Sequence, residues 1–372
     1  MNRAPSLDEI EVSVFGPGYG ECILIHVGDN KWFIIDSCIE PKSKELPVLN
    51  YLEQIGVEPS DAVKMIIATH WHDDHVRGIS TLVESCRSAQ FCLSSALRAK
   101  EFLTLIAAYG KRTMMVNSGV KEFSKVIDVL QTRRNNPKEK AIPLKYAIAD
   151  RCLWSTKPNE LEKGQACKIY SLSPSDAAIL LTHKAFANLL PQIGQPKNRL
   201  FVNSPNHVAV VLWIEVGDLF ILLGSDLEET SDPQTGWSVI VGSTTSVQGK
   251  ASLFKIPHHG SKNGDHPDVW SLMLEAQPVA VLTPFSRGQV HLPTFQDISR
   301  ICTHTENAYM TAFKRSKIKK RDKMVEKMIQ QTVKSIKPIP YSTGQIRCRI
   351  KPDNGTNTWQ VELFGEAHKL YL

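Results

Sequence analysis

The feature that most constrains this chain is Thr69-His70-Trp71-His72-Asp73-Asp74-His75, where three imidazoles and two carboxylates lie between His70 and His75. It follows Val63-Lys64-Met65-Ile66-Ile67-Ala68, an apolar run of strand length, and precedes Gly78 and a helix-like stretch. A buried strand that opens into a polar loop is a usual seat of chemistry in a layered α/β protein. Imidazole and carboxylate are ligand types that suit Zn2+. His70 and His72 alternate around Trp71, so an extended backbone sends both side chains the same way. Asp74 and His75 then need a turn to face a second ion. A polar loop with stray histidines is the bland alternative, and it leaves the H-x-H-x-D-H spacing unexplained.

A chain of 372 residues allows one large domain or two ordinary ones. With 42% hydrophobic and 22% charged residues, whole-chain disorder is excluded. The longest apolar stretch, Val208 to Gly224, is interrupted by Glu215 and Asp218, so no membrane span is expected. Residues Met1 to Glu9 have no apolar core, and no signal peptide is expected. The eight cysteines are scattered, several sit in apolar runs, and no C-x-x-C occurs. Buried thiols in a reducing cytoplasm fit this usage better than a disulfide framework. A net charge of +6 permits an anionic substrate without requiring one.

Alternation predicts a first strand from Ile10 to Phe15, a second from Cys22 to Val27 and a third from Trp32 to Asp36. Gly16, Gly18 and Gly20 join strand to strand, so they read as turn geometry and not as a phosphate loop. Helices are predicted over Pro47–Ile55, Phe102–Tyr109, Lys121–Thr132 and from Pro174 to Leu190 with Ser173 as cap. Further strands are predicted at Lys168–Leu172, His207–Trp213, Leu219–Leu223, Leu253 onward and Val279–Thr283. Gln345–Lys351 and Thr358–Leu363 read as a closing hairpin that finishes a second sheet. The region from about 88 to 165 reads as an insertion that covers the site or decorates the surface. Lys314 to Lys323 is the most basic stretch, within a basic segment of about 314–337; it is a solvated face or an anion-binding one. No aromatic residue interleaves there, which argues against stacking on single strands.

The H-x-H-x-D-H stretch resembles the signature of the metallo-β-lactamase superfamily. Leu253-Phe254-Lys255-Ile256-Pro257-His258-His259-Gly260-Ser261 is similar to the K-V-P-H-H-G-S motif of its ComEC-type branch, the soluble hydrolase domain of bacterial DNA-uptake channel proteins. The resemblance implies a four-layered αββα metallo-β-lactamase sandwich with a helical insertion, spanning residues 1–372 as one domain. It implies a dinuclear centre: His70, His72 and His207 at one ion, Asp74, His75 and His259 at the other, and Asp226 bridging.

That branch has D-V-G-Q-G-D where this chain has Gly16-Pro17-Gly18-Tyr19-Gly20-Glu21, and L-L-T-G-D where this chain has Leu222-Leu223-Gly224-Ser225-Asp226. Its N-x-x-S becomes Asn206-His207-Val208-Ala209, so His207 is either a ligand or a strand-start histidine bonded to backbone. Asp36 would orient a ligand, or else cap the turn after its strand. Adjacent histidines on an extended backbone point apart, which favours His259 as ligand and His258 beside the substrate over the reverse. His291, before Leu292-Pro293, matches an H-P element loosely and is a proton-transfer residue or a loop histidine.

The function so implied is a dinuclear metal-dependent hydrolase with two Zn2+, Mn2+ or Fe being open on ligand type. A metal-bridging hydroxide would be the nucleophile, with Asp74 at the catalytic centre and His258 or His291 giving up the leaving-group proton. Phosphodiester hydrolysis in DNA, RNA or a nucleotide is the first reading. Hydrolysis of a small ester, lactone or thioester is the second. A hydrolase-like subunit of a bacterial defence or DNA-processing assembly, with a protein partner, is the third. The channel portion of the uptake proteins is not expected here, and the expected place is the cytoplasm.

Overall fold

The computed structural model describes residues 3–18, 20–98, 118–137, 142–189, 205–243, 247–312, 322–332, 343–352 and 358–371. The predicted helix at Phe102–Tyr109 and most of the basic run from Lys314 lie outside them. In chain order the strands are β1 (Ile10–Gly16), β2 (Cys22–His26), β3 (Trp32–Asp36), β4 (Val63–Ala68), β5 (Gln90–Ser94), β6 (Lys145–Ala147), β7 (Arg151–Ser155), β8 (Cys167–Ser171) and β9 (Leu212–Val216). They continue as β10 (Leu219–Leu223), β11 (Ala251–Lys255), β12 (Leu274–Leu282), β13 (Phe285–Arg287), β14 (Val290–Leu292), β15 (Ala308–Met310), β16 (Gly344–Ile350), β17 (Gln360–Phe364) and β18 (His368–Lys369).

Two sheets of eight strands face each other, ordered β17-β16-β1-β2-β3-β4-β5-β6 and β18-β15-β12-β11-β10-β9-β8-β7. Period-2 alternation explains how each sheet serves two cores. Val14, Ile25, Ile35 and Ile67 of the first sheet pack against Ile214, Ile221, Leu253 and Val281 of the second. On the outer face of the first, Leu24, Ile34 and Ile66 meet Leu52, Leu82 and Phe123 from helices Pro47–Gln54, Ile79–Ser85 and Ser118–Asn135. On the outer face of the second, Trp213, Leu222 and Phe254 meet Trp237 and Ile301 from helices Gly236–Ser243 and Phe295–His304. Helix, sheet, sheet and helix stack as four layers, the expected αββα sandwich.

Several local expectations change. The closing hairpin joins the first sheet, with β16 beside β1, because the buried Glu11 on β1 takes the Arg349 guanidinium at 2.7 Å and the Tyr51 hydroxyl at 2.8 Å. Residues 88–165 are not one helical insertion, since β5, β6 and β7 within that range are members of the two sheets. Ser173 is no helix cap: its hydroxyl donates to the Ala209 carbonyl at 2.6 Å and accepts from the Val211 amide at 2.8 Å, while Ser175 accepts from Ala178 N. No strand begins at His207. Ser94 Oγ, Ser173 Oγ and the Thr69 carbonyl take up backbone groups of Val208 to Val211, so Pro205–Val208 is a 3-10 turn and β9 starts at Leu212.

Strands β3 to β6 run parallel, as do β10, β11, β12 and β15. The loops that follow β3, β4, β10, β11 and β12 therefore leave from carboxyl ends of parallel strands, the edge where α/β sheets place ligands.

Candidate metal centre

The loop after β4 is held by its backbone before any side chain acts. Val210 N donates to Thr69 O at 3.1 Å, Glu21 N to Asp74 O at 2.8 Å and Ser37 N to His75 O at 2.8 Å. Gly20 has φ +133°, and a Cβ there would run into the Asp74 carbonyl, so the glycine-rich turn is built for close approach to this loop. After an extended His72, one helical turn spans Asp73–Val76 and turns Asp74 and His75 inward. Asp73 faces away, accepting from Gly119 N at 2.8 Å.

Asp36, at the end of β3 with φ +60°, accepts from Thr69 N at 2.8 Å, from Thr69 Oγ1 at 2.7 Å and from His75 Nδ1 at 2.7 Å. It thus ties the strand end and faces a cluster histidine at once, so the two readings of Asp36 are both present. Because a carboxylate only accepts, Nδ1 of His75 carries a proton, and in the neutral form that ligates metal the Nε2 lone pair would point into the centre. Burial raises the Asp36 carboxyl from its usual range.

Asp74, His75, Asp226 and His259 converge, with one ligand atom from each lying within 4.8 Å of the others. His75 Nε2 is 3.2 Å from Asp226 Oδ2; His259 Nε2 is 3.4 Å from that oxygen and 3.3 Å from Asp74 Oδ2. His70 and His72 adjoin: His70 Nε2 lies 3.3 Å from His72 Nδ1, and the His70 and His75 ring centres are 4.2 Å apart. His259 Nδ1 meets the Thr283 carbonyl at 3.0 Å, which aims Nε2 at the carboxylates. Burial would raise both aspartates, but the imidazoles beside them outweigh it and hold Asp74 and Asp226 below the usual carboxylate range. Burial alone would lower His259, but Asp226 and Asp74 lift it to about 10. His70 and His72 carry no such surplus, and burial pushes both down toward the neutral form that ligates metal.

A divalent cation fits this set. His75 Nε2 and His259 Nε2 are buried without a hydrogen-bond partner among the described residues, although carboxylate oxygens face them. Buried polar atoms left this way need an explanation, and a shared cation supplies it.

The two adjacent histidines separate, but not by strand alternation. His258 and His259 have φ of +46° and +53°, so the backbone there is left-handed and not extended. Arg300 donates to the Gly260 carbonyl at 2.7 Å and pins this loop from the helix Phe295–His304. His259 enters the cluster; His258 turns to a neighbouring polar group made by Asn206 and Glu228. Asn206 Nδ2 donates to Glu228 Oε1 at 2.8 Å and lies 3.3 Å from His258 Nε2, while His258 Nδ1 is 3.4 Å from Glu228 Oε1.

His207 is not brought into the cluster. Its side chain is 39% exposed, and its Nε2 is 3.7 Å from Glu228 Oε2. Its place on a 3-10 turn, and not at a strand start, directs it outward. His291 sits on the β13–β14 hairpin with Nδ1 2.6 Å from Ser286 Oγ, and Phe285 of the same hairpin stacks on His259 at 5.1 Å between ring centres. Glu228 was not singled out in the sequence. Its signal is faint, a second carboxylate two residues beyond Asp226 at the end of an apolar strand. Lys255, Glu21 and Thr283, also close to the cluster, were visible only as members of motifs.

A sequence model of the metallo-beta-lactamase superfamily matches residues 15–103, which include the loop from Thr69 to His75. No curated protein matches the chain. Among solved structures the chain is similar to the metallo-beta-lactamase fold protein YhfI from Bacillus subtilis, at 16% identity over 66% of this chain and 70% of that one, with a TM-score of 0.33. It is also similar to MEM-A1, a subclass B3 metallo-beta-lactamase from a soil metagenome library, at 13% identity over 70% and 80%, with a TM-score of 0.34. The family match lies on the metal loop around which the four layers are built, so residues 15–103 are similar to the metallo-β-lactamase superfamily and the chain is a metal-dependent hydrolase.

Proposed function

We propose that the chain is a phosphodiesterase or nuclease acting on nucleic acid or a nucleotide. The observation that carries this reading is the convergence of Asp74, His75, Asp226 and His259 beside His70 and His72, with imidazole nitrogens left unpartnered at its centre. These six side chains would hold two divalent ions, zinc first by donor type. Bound ions supply Lewis acidity and water activation at neutral pH. The protein supplies the rest. Asp36 holds His75 in one tautomer. Asn206 donates to His258 Nε2, which leaves the proton of a neutral His258 on Nδ1, facing Glu228 Oε1; His258 with Glu228 is the first proton-transfer pair to test. Burial keeps His258 below its ordinary basicity. His291, on the hairpin whose Phe285 covers His259, is the second proton donor to test.

The anionic substrate is supported by the net charge of +6 and by the likeness of Lys255-Ile256-Pro257-His258-His259-Gly260-Ser261 to the ComEC-type motif. Elemental analysis and hydrolysis of bis(4-nitrophenyl) phosphate on one sample test the reading. The expected result is two equivalents of zinc with turnover that Asp226→Ala abolishes. Two equivalents without turnover on this diester, or on DNA and RNA, would overturn the phosphodiester substrate and direct the search to carboxylic esters or to a missing protein partner.

A further inference from the structure

Lys255, the last residue of β11, is fully buried, and nothing in the reaction outlined above uses it. A buried ammonium needs charge and hydrogen-bond partners, and those of Lys255 are specific. Its Nζ is 2.6 Å from Glu21 Oε1, donates to Ser225 O at 3.0 Å and lies 3.8 Å from Asp226 Oδ1. Asp226 is thereby divided: Oδ2 faces His75 and His259, and Oδ1 faces the ammonium. Ser225, the residue before Asp226, has φ +47°, a conformation that a non-glycine residue keeps only when its surroundings hold it. Lys255 Nζ and His258 N both donate to its carbonyl, the latter at 3.0 Å.

Glu21 is the hub of this arrangement. It is buried at the start of the chain's second strand, far in sequence from Lys255 and Thr283. One carboxylate oxygen takes Lys255; the other accepts the Thr283 hydroxyl. Its backbone amide donates to the Asp74 carbonyl at 2.8 Å. Thr283 in turn offers its carbonyl to His259 Nδ1 at 3.0 Å. Through three separate bonds Glu21 reaches Asp74 by backbone, Asp226 by way of Lys255 and His259 by way of Thr283.

We propose that Glu21, Lys255 and Thr283 form a buried positioning unit that orients the Asp226 carboxylate with Oδ2 toward His75 and His259 and sets the direction of His259. The unit rests on the reading of the cluster as a metal site. Its physical logic is that the Lys255 ammonium, held by Glu21 and Ser225, places a positive charge 3.8 Å from Oδ1 without hydrogen-bonding it, which favours the carboxylate orientation that turns Oδ2 to the histidines, and that the Glu21 carboxylate neutralises the lysine without drawing on the ligand aspartates. Residues that orient ligands in this way commonly change metal affinity by about 10- to 100-fold when removed.

The test uses the intact chain and two variant pairs. Lys255→Met alone strands the Glu21 charge, so the informative variant is the double Glu21→Gln with Lys255→Met, which removes both charges together. The second pair is Thr283→Val, which deletes the hydroxyl that Glu21 accepts, and Thr283→Ser, which keeps it. Zinc affinity is read by competition with a chromogenic chelator, and the visible spectrum is read after cobalt substitution. The double variant should lose about 10- to 100-fold in zinc affinity and show an altered cobalt spectrum. Thr283→Val should move in the same direction and Thr283→Ser should restore the wild-type values. A double variant, or a Thr283→Val variant, with wild-type affinity and spectrum overturns the positioning unit. Failure of the wild-type chain itself to bind zinc or cobalt instead overturns the metal reading, and the unit with it.

Discussion

Asp36→Asn is the sharpest perturbation of the centre, because the geometry leaves asparagine no good answer. Asparagine tolerates the φ of +60° at this position, so the backbone is unstrained and the effect comes from hydrogen bonding. Thr69 N donates to Oδ1; Thr69 Oγ1 and His75 Nδ1 converge on Oδ2. With its oxygen toward Thr69 N, the new amide group faces His75 Nδ1 with a donor. His75 must then move its proton to Nε2, the atom that points at Asp226, and metal affinity falls. A loss of 10- to 100-fold corresponds to about 1.4–2.7 kcal/mol. With its oxygen toward His75, the amide group meets the Thr69 N–H, a backbone donor that cannot reverse, and the protein loses about 1–3 kcal/mol of stability instead. Zinc competition and urea unfolding of the metal-free protein are measured together. The loss must appear in one or the other. Zinc affinity within twofold of wild type together with unchanged unfolding would refute the reasoning.

Three further predictions are independent of it. Asp226→Asn should leave the metal-free fold intact and abolish hydrolysis, since Asp226 Oδ2 is shared by His75 and His259; circular dichroism beside turnover checks this, and retained turnover would remove Asp226 from the centre. His26 is buried and held at about 4 by that burial, while its Nδ1 bonds the Glu9 carbonyl. Its folded pKa lies below the ~6.5 of the unfolded chain, so it contributes nothing above that pH, and stability falls as pH drops from about 6.5 toward 4 because only the unfolded chain takes up the proton. The full effect is about 3 kcal/mol, and His26→Gln should flatten the difference between urea midpoints at pH 7 and pH 5; an unchanged difference counts against it. Gly20→Ala places a methyl group against the Asp74 carbonyl, so it should lower stability by about 1–3 kcal/mol and weaken zinc binding, as thermal melts with and without zinc would show.

The metal loop was legible because its composition is improbable for any other purpose and because it follows an unbroken apolar strand. The layered fold was legible from strand-length apolar runs that fill both faces of each sheet. Errors arose where a tertiary partner, and not local pattern, decides the backbone. The alternation of Ile10, Val12 and Val14 with Glu11 and Ser13 suggests a half-exposed strand, yet Glu11 and Ser13 are buried because Arg349 from the neighbouring strand and Tyr51 from the helix Pro47–Gln54 bond Glu11. His207 read as a strand start, and the hydroxyls of Ser94 and Ser173, distant in sequence, dissolve that strand. His258 and His259 were separated by an alternation rule, whereas two left-handed residues separate them in fact.

The sequence by itself determined the donor types and their place at strand ends: His70, His72, Asp74 and His75 on one loop, Asp226 and His259 on two others. Spacing within a loop carries that information because it limits which side chains can share a face. Only the tertiary structure decided which of the later histidines turns inward, that Asn206 and Glu228 gather around His258, and that Glu21 meets Lys255 and Thr283. Those choices depend on contacts between residues as far apart as Glu21 and Thr283, whose proximity is a property of two sheets packed face to face and is written in no local stretch of the chain.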